Sequence, residues 1–231
     1  MDEATADETG SGGPRAAALR AAIVRGAPPA PAPLVPELLM RQATAMTDLW
    51  AMTEAALERE GVDPPYWAFA WPGGQALARL VLDRPDLVAG RRVLAVGCGG
   101  GLEAVAAARA GAATVWANDL DPTALLAAQM NAALNGVELR LAPGDALADP
   151  MPEADVVLGG DVFYERAAAR RLLAWFRGRA RAGALALIAD AGRGFLPTEG
   201  LLAEAVHEAP TLRALEDRDS RRVVVWRVPP D

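Results

Sequence analysis

Two acidic motifs and one glycine run contain the residues of this chain best suited to chemistry. The segment "GGDVFYE" (159–165) sets Asp161 and Tyr164 in an Asp-x-x-Tyr spacing. A carboxylate and a phenol so placed can position an amine and accept its hydrogens, which is what in-line attack by a nitrogen nucleophile requires. The segment "ANDLDP" (117–122) puts Asp119 at the end of an apolar run. Its Asp121-Pro122 pair looks like a helix N-cap followed by Pro at the first helical position, which leaves Asp119 for a ligand. The run "GCGGG" (97–101) offers Gly97 and Gly99 to a ligand approaching the backbone, because no Cβ intervenes. Asp119 follows Gly97 by 22 residues, a separation at which an acid can reach the hydroxyls of a ribose. Gly144-Asp145, in "APGDAL", could meet the adenine amino group, with Leu120 beside the ribose acid.

The glycine run does not complete the dinucleotide fingerprint, since Leu102 stands where the third glycine belongs. No Gly-Lys-Ser/Thr follows, so it is not a Walker loop. A pyrophosphate needs an uncrowded helix N-terminus, whereas a sulfonium cofactor needs no phosphate site and tolerates an acidic pocket. These residues favour S-adenosylmethionine over NAD, and no hydride-transfer His or Tyr-Lys pair is evident.

Other reactive types carry plainer readings. Trp67, Phe69 and Trp71 cluster among prolines and glycines, where they could wall a cofactor, clamp an aliphatic stem or pack an N-terminal segment. Cys98 reads as a small residue of the turn, with no neighbouring His to activate it. His207 reads as a surface residue of a late helix. The arginines of 166–181 read as a solvated helix face.

Strand and helix alternate from residue 91. "RVLAVG", "TVWAND", "VELRLA", "ADVVLGGD" and "GALALIAD" predict strands, with helices over "GLEAVAAARAG", "PTALLAAQMNAALNG", "AAARRLLAWFRGRAR" and "TEGLLAEAVHEA". "LRALE" and "RRVVVWRV" predict a closing hairpin across "DRDS". The pattern implies an α/β, Rossmann-like sheet of seven strands, mostly parallel with one antiparallel strand, and helices on both faces. Ahead of it, residues 1–14 read as a disordered tail and 15–63 as a helical extension. That extension comprises a short helix at 15–25, a proline linker at 26–36 and helical spacing over 37–60. Residues 64–231 form the main domain.

The whole composition narrows the classes. The chain has 231 residues, 52% of them hydrophobic, enough for one sizeable core. Its net charge of -7 argues against binding a phosphate backbone. All 23 basic residues are Arg. One Cys and one His argue against a disulfide or a metal centre and fit a reducing cytoplasm. No secretory signal or apolar run of about 18 residues is present, so no membrane partner is expected.

The glycine turn, the strand-end acid and the later "GD" resemble the class I, seven-strand S-adenosylmethionine-dependent methyltransferases. "PYWAFAWPGGQALARLVLDRP" (65–85), "ANDLDP", "GGDVFYE" and "DAGRGF" (190–195) resemble, in order, the lysine methyltransferases of electron transfer flavoprotein beta subunit. Bacterial relatives of that branch can also modify ribosomal proteins. The resemblance, over roughly 64–228, implies methyl transfer from S-adenosylmethionine to a protein lysine, with the Asp161–Tyr164 motif facing the methyl group and Asp161 also counted among the cofactor-binding residues. A small-molecule N-methyltransferase or a non-catalytic S-adenosylmethionine-binding protein is the alternative, and a monomer is favoured. Ala95 and Cys98 stand where the family has Asp and Ser. That family Asp helps hold the ammonium group of the cofactor; here backbone carbonyls and water are expected to serve instead.

Overall fold

The computed structural model describes residues 14–43, 65–192 and 194–230. The expected tail, apart from Pro14, and most of the expected helix over 37–60 lie outside the described residues. The N-terminal part begins with α1 (Pro14–Gly26). Next come β1 (Pro29–Ala32) and β2 (Val35–Arg41), which pair antiparallel as a separate ladder. The expectations of a linker at 26–36 and of helix from residue 37 are therefore corrected. Val35, Leu38 and Met40 are buried while Pro36, Glu37 and Leu39 are exposed, an alternation that suits half-buried strands. Proline is tolerated in β1 because that strand lies at an edge of its ladder.

The main sheet uses β3 (Arg92–Val96), β4 (Thr114–Asp119), β5 (Arg140–Pro143), β6 (Val156–Gly160), β7 (Leu185–Asp190), β8 (Leu202–Pro210) and β9 (Ser220–Val228). Their order is β5-β4-β3-β6-β7-β9-β8, and β9 runs antiparallel to both neighbours. The seven-strand expectation holds. Its sixth strand, however, is "LAEAVHEAP" and not "LRALE", which forms the single turn α6 (Arg213–Glu216). The β8 segment is rich in good helix formers, but pairing with β9 overrides that local preference. Glu204 then bonds Arg227 across the pair at 2.8 Å. His207 accordingly sits on a strand, partly buried, with Nε2 enclosed and lacking a hydrogen-bond partner.

Both sheet faces are covered. Val93, Ala95, Leu158 and Leu187 join one core with α2 (Pro72–Asp83) and α3 (Leu102–Arg109). The alternate residues Leu94, Val157 and Ile188 join the other with α5 (Arg166–Arg181), through Leu172, Leu173 and Phe176. The helix α4 (Pro122–Leu134) starts where the sequence placed it, with Asp121 accepting from the Thr123 N–H at 2.7 Å.

The glycines of "WPGG" have a packing reason. A Cβ on Gly73 would stand 2.6 Å from the Ala189 carbonyl oxygen, and one on Gly160 would stand 2.6 Å from the Gly74 nitrogen. The first turn of α2 therefore lies directly on the ends of β6 and β7. Gly160→Ala is expected to destabilise the fold by about 1–3 kcal/mol, the range for overpacking. Urea unfolding should show a lower midpoint at unchanged slope.

Candidate functional site

The strand order reverses at β3, and the chemistry-bearing residues gather at the carboxyl ends of β3, β4, β5 and β6, where ligands of open α/β sheets bind. Gly97, Gly99 and Gly101 all have positive φ, so the turn after β3 adopts a path that a side chain would strain. A Cβ on Gly97 would also stand 2.8 Å from Val162, so the glycine turn touches the loop after β6.

Asp119 ties this turn to β4. Its Oδ2 accepts from the Gly99 N–H at 2.8 Å and its Oδ1 from the Asp121 N–H at 3.0 Å. Each carboxylate oxygen has two acceptor sites, so these bonds orient the group without exhausting it. Burial pushes its pKa up, against the lowering effect of those N–H groups. Leu120 beside it is exposed.

On the other side, buried Asn118 donates to the carbonyls of Ala142 and Gly144, at 2.7 and 2.9 Å, fixing the turn after β5. Asp145 follows, but its Oδ1 already accepts from the Leu147 N–H at 2.8 Å. It thus serves its own turn as well as any ligand.

Asp161 follows β6 in the left-handed region, with φ 55°. Its N–H donates to the Ala189 carbonyl at 2.9 Å, and its Oδ2 accepts from the Gly73 N–H in the first turn of α2. A carboxylate is well placed there, because the helix end presents unpaired donors and positive potential. Tyr164 is mostly exposed.

The aromatic block divides. Trp67 and Phe69 are buried with Ile23, Ala124 and Ala127, packing the N-terminal part onto α4. Phe69 therefore has little surface to offer a ligand. Trp71 is only partly buried and its indole N–H donates to the Tyr66 carbonyl at 2.7 Å. Cys98 is buried, and burial with the charges of Asp119 and Glu103 holds its thiol well above the ordinary range, which excludes a resting thiolate nucleophile.

Glu103 is the residue that sequence reasoning missed. It lies in the first turn of α3, only 3% exposed, and burial raises its pKa to about 8, with Asp161 and Asp119 adding to the rise. The signal was present as one acid in the alanine-rich "LEAVAAAR", but helical spacing alone does not say which face is buried.

Three acids thus surround one region: Asp119, Asp161 and Glu103. Such a setting fits a cationic sulfonium cofactor and opposes a pyrophosphate. Among the described residues, no cluster of His, Cys, Asp and Glu could hold a metal ion, and no helix is long and apolar enough to cross a membrane.

The comparisons with known proteins agree with this geometry. Residues 76–160 match the family of ribosomal protein L11 methyltransferase (PrmA). A solved structure from Pyrococcus horikoshii, provisionally described as an RNA methyltransferase, superposes with a TM-score of 0.54 at 16% identity, covering 77% of this chain and 96% of that one. The fold is that of the seven-strand, Rossmann-like methyltransferases, which use S-adenosylmethionine, and residues 76–160 are similar to the PrmA methyltransferase family. Within that class, the chain is 42% identical over 166 residues to the electron transfer flavoprotein beta subunit lysine methyltransferase of Danio rerio, covering 69% of this chain and 62% of that protein. The Xenopus laevis protein of the same name is 42% identical over 168 residues, 70% of this chain and 65% of that one. The matched part is therefore under two thirds of the length of these relatives.

The buried acids set a pH dependence. A glutamate ordinarily titrating at 4.5 is raised to about 8 in the folded chain, so between those values the folded state holds a proton that the unfolded state has lost. This contribution to stability is present below pH 4.5 and is lost as pH rises toward 8; Asp119 acts in the same direction. Asp155, held at about 2 by Arg92, has its effect only in stronger acid. Glu103→Gln should flatten the fall in urea midpoint of the ligand-free protein between pH 5 and 8.

Proposed function

We propose that this chain transfers a methyl group from S-adenosylmethionine to the side-chain amine of a protein lysine, with electron transfer flavoprotein beta subunit as the first candidate substrate and a ribosomal protein as the second. The observation that carries the reading is the Asp161–Tyr164 loop beside the Asp119 glycine turn, in a domain similar to lysine methyltransferases. The reading takes 64–231 as the catalytic domain and 15–63 as an extension. It carries a bacterial monomer; the lone cysteine supports a cytoplasmic setting, and the acidic balance opposes a nucleic-acid partner.

Roles follow from chemistry. Gly97, Cys98 and Gly99 present backbone to the cofactor, Asp119 accepts from its ribose, and Leu120 covers the adenine. Gly144 and Asp145 meet the adenine edge, while Trp71, with Phe69 behind it, closes the side near α2. When bound, S-adenosylmethionine supplies an electrophilic methyl carbon whose leaving group needs no proton. Asp161 and Tyr164 align a neutral amine by accepting its hydrogens, and its proton passes to water. Alignment is the main contribution asked of the protein.

The direct test incubates tritiated S-adenosylmethionine and this protein with purified electron transfer flavoprotein, with ribosomal protein L11 and with small amines. Label on a lysine of either protein supports the reading; label on small amines alone overturns it. Asp161→Asn keeps an oxygen for the Gly73 N–H, and Asn tolerates the left-handed backbone. Asp161→Asn and Tyr164→Phe are each expected to lower turnover by about 10–100-fold with cofactor affinity little changed. Asp119→Ala should instead weaken cofactor binding by about 1.5–3 kcal/mol, measured by calorimetry.

A further inference from the structure

Glu103 has no part in the scheme above, yet it is among the most deeply buried acids of the chain. Its surroundings are unusual for a carboxyl group. The charged groups acting on it are Asp161, from the loop after β6, and Asp119, from the end of β4, both acids. Cys98, in the glycine turn, feels its charge in return. No basic side chain among the described residues makes an ion pair with it. On α2, its Oε2 approaches the first turn so closely that a Cβ on Gly74 would stand 3.3 Å away. Its carboxyl accepts from its own backbone N–H but has no cation beside it among the described residues; a buried acid without opposite charge is costly, and the helix around it is mostly alanine, leucine and valine.

Ala95 lies on the same face of the sheet. It is fully buried in the core that α2 and α3 share. The end of β3 therefore offers no side-chain acceptor on this face, and the acid that faces the region comes from the adjacent helix. A carboxylate enclosed here needs N–H or O–H donors as well as opposite charge. The sulfonium of S-adenosylmethionine has positive charge but no donor, whereas its α-ammonium group has three.

We propose that Glu103 is the acceptor for the α-ammonium group of S-adenosylmethionine, supplying from α3 the carboxylate that β3 lacks at Ala95. This rests on the reading of the strand ends as the cofactor site, and it replaces the expectation that carbonyls and water alone serve there. It also accounts for the proton that Glu103 holds in the ligand-free chain: an arriving cation favours the charged form, so binding below pH 8 displaces that proton.

The test is calorimetry on the full chain with two ligands. S-adenosylhomocysteine carries the ammonium group, and 5′-methylthioadenosine carries the nucleoside and thioether without the amino-acid arm. Glu103→Gln mimics the protonated acid, so it should fold. It is expected to weaken S-adenosylhomocysteine by about 10- to 100-fold and to leave methylthioadenosine unchanged. Binding of S-adenosylhomocysteine at pH 6.5 should release about one proton from the wild type and none from the variant, read from the buffer dependence of the enthalpy. Adding Ala95→Asp to Glu103→Gln should restore affinity. Equal loss of both ligands, or wild-type affinity for S-adenosylhomocysteine in folded Glu103→Gln, overturns the role of Glu103 while leaving the cofactor site standing. A wild type that binds neither ligand overturns both.

Discussion

The contact between Asp161 and the first turn of α2 ties the working end of this molecule together. The carboxylate takes the Gly73 N–H, the Asp161 N–H takes the Ala189 carbonyl, and Gly160 lies against Gly74 with no room for a Cβ. Three elements thereby converge at one point: the ends of β6 and β7, and the start of α2. The helix end satisfies a negative charge that the site needs, and the charge satisfies donors that the helix would otherwise leave unpaired. Asp161 is held in the left-handed region where the chain leaves β6.

The electrostatics of the site follow from that arrangement. Asp119, Asp161 and Glu103 converge where burial already disfavours charge, and the pKa of both Glu103 and Asp119 is raised. Without a ligand, the region stores unfavourable interactions that a cation relieves. A methyl donor that is itself cationic is thus matched by charge, and a phosphate-bearing cofactor is opposed.

The N-terminal ladder belongs to the same construction. Asn131, fully buried on α4, accepts from the Arg41 N–H at 2.7 Å and donates to the Gly100 carbonyl at 2.8 Å. One amide thus links β2 to the glycine turn. Gly100 also leaves no space for a Cβ beneath the Trp67 carbonyl, which would be 2.6 Å away. Residues ahead of the sheet therefore buttress the glycine turn from behind, and buried Trp67 and Phe69 serve that packing.

Much of the fold and most of the site candidates were legible in the sequence because they rest on local chemistry. Buried strands such as "RVLAV" are short apolar runs between turn signals, the Asp121-Pro122 cap is a local bond, and a glycine turn followed by an acid at a set separation reflects one repeating βαβ unit. Residues 202–210 were misread because their composition favours helix, and only the partner strand β9 makes the extended form the better one. The prolines of β1 misled for a similar reason, since an edge position tolerates them only once a ladder exists. Glu103 could not be placed from spacing, because its burial depends on α2 crossing over α3, a contact between segments distant in sequence. Local bonds and periodicities were thus determined by the sequence alone. The burial of a charge, and the choice between strand and helix at an edge, were decided by tertiary structure, because both depend on neighbours that only the folded chain supplies.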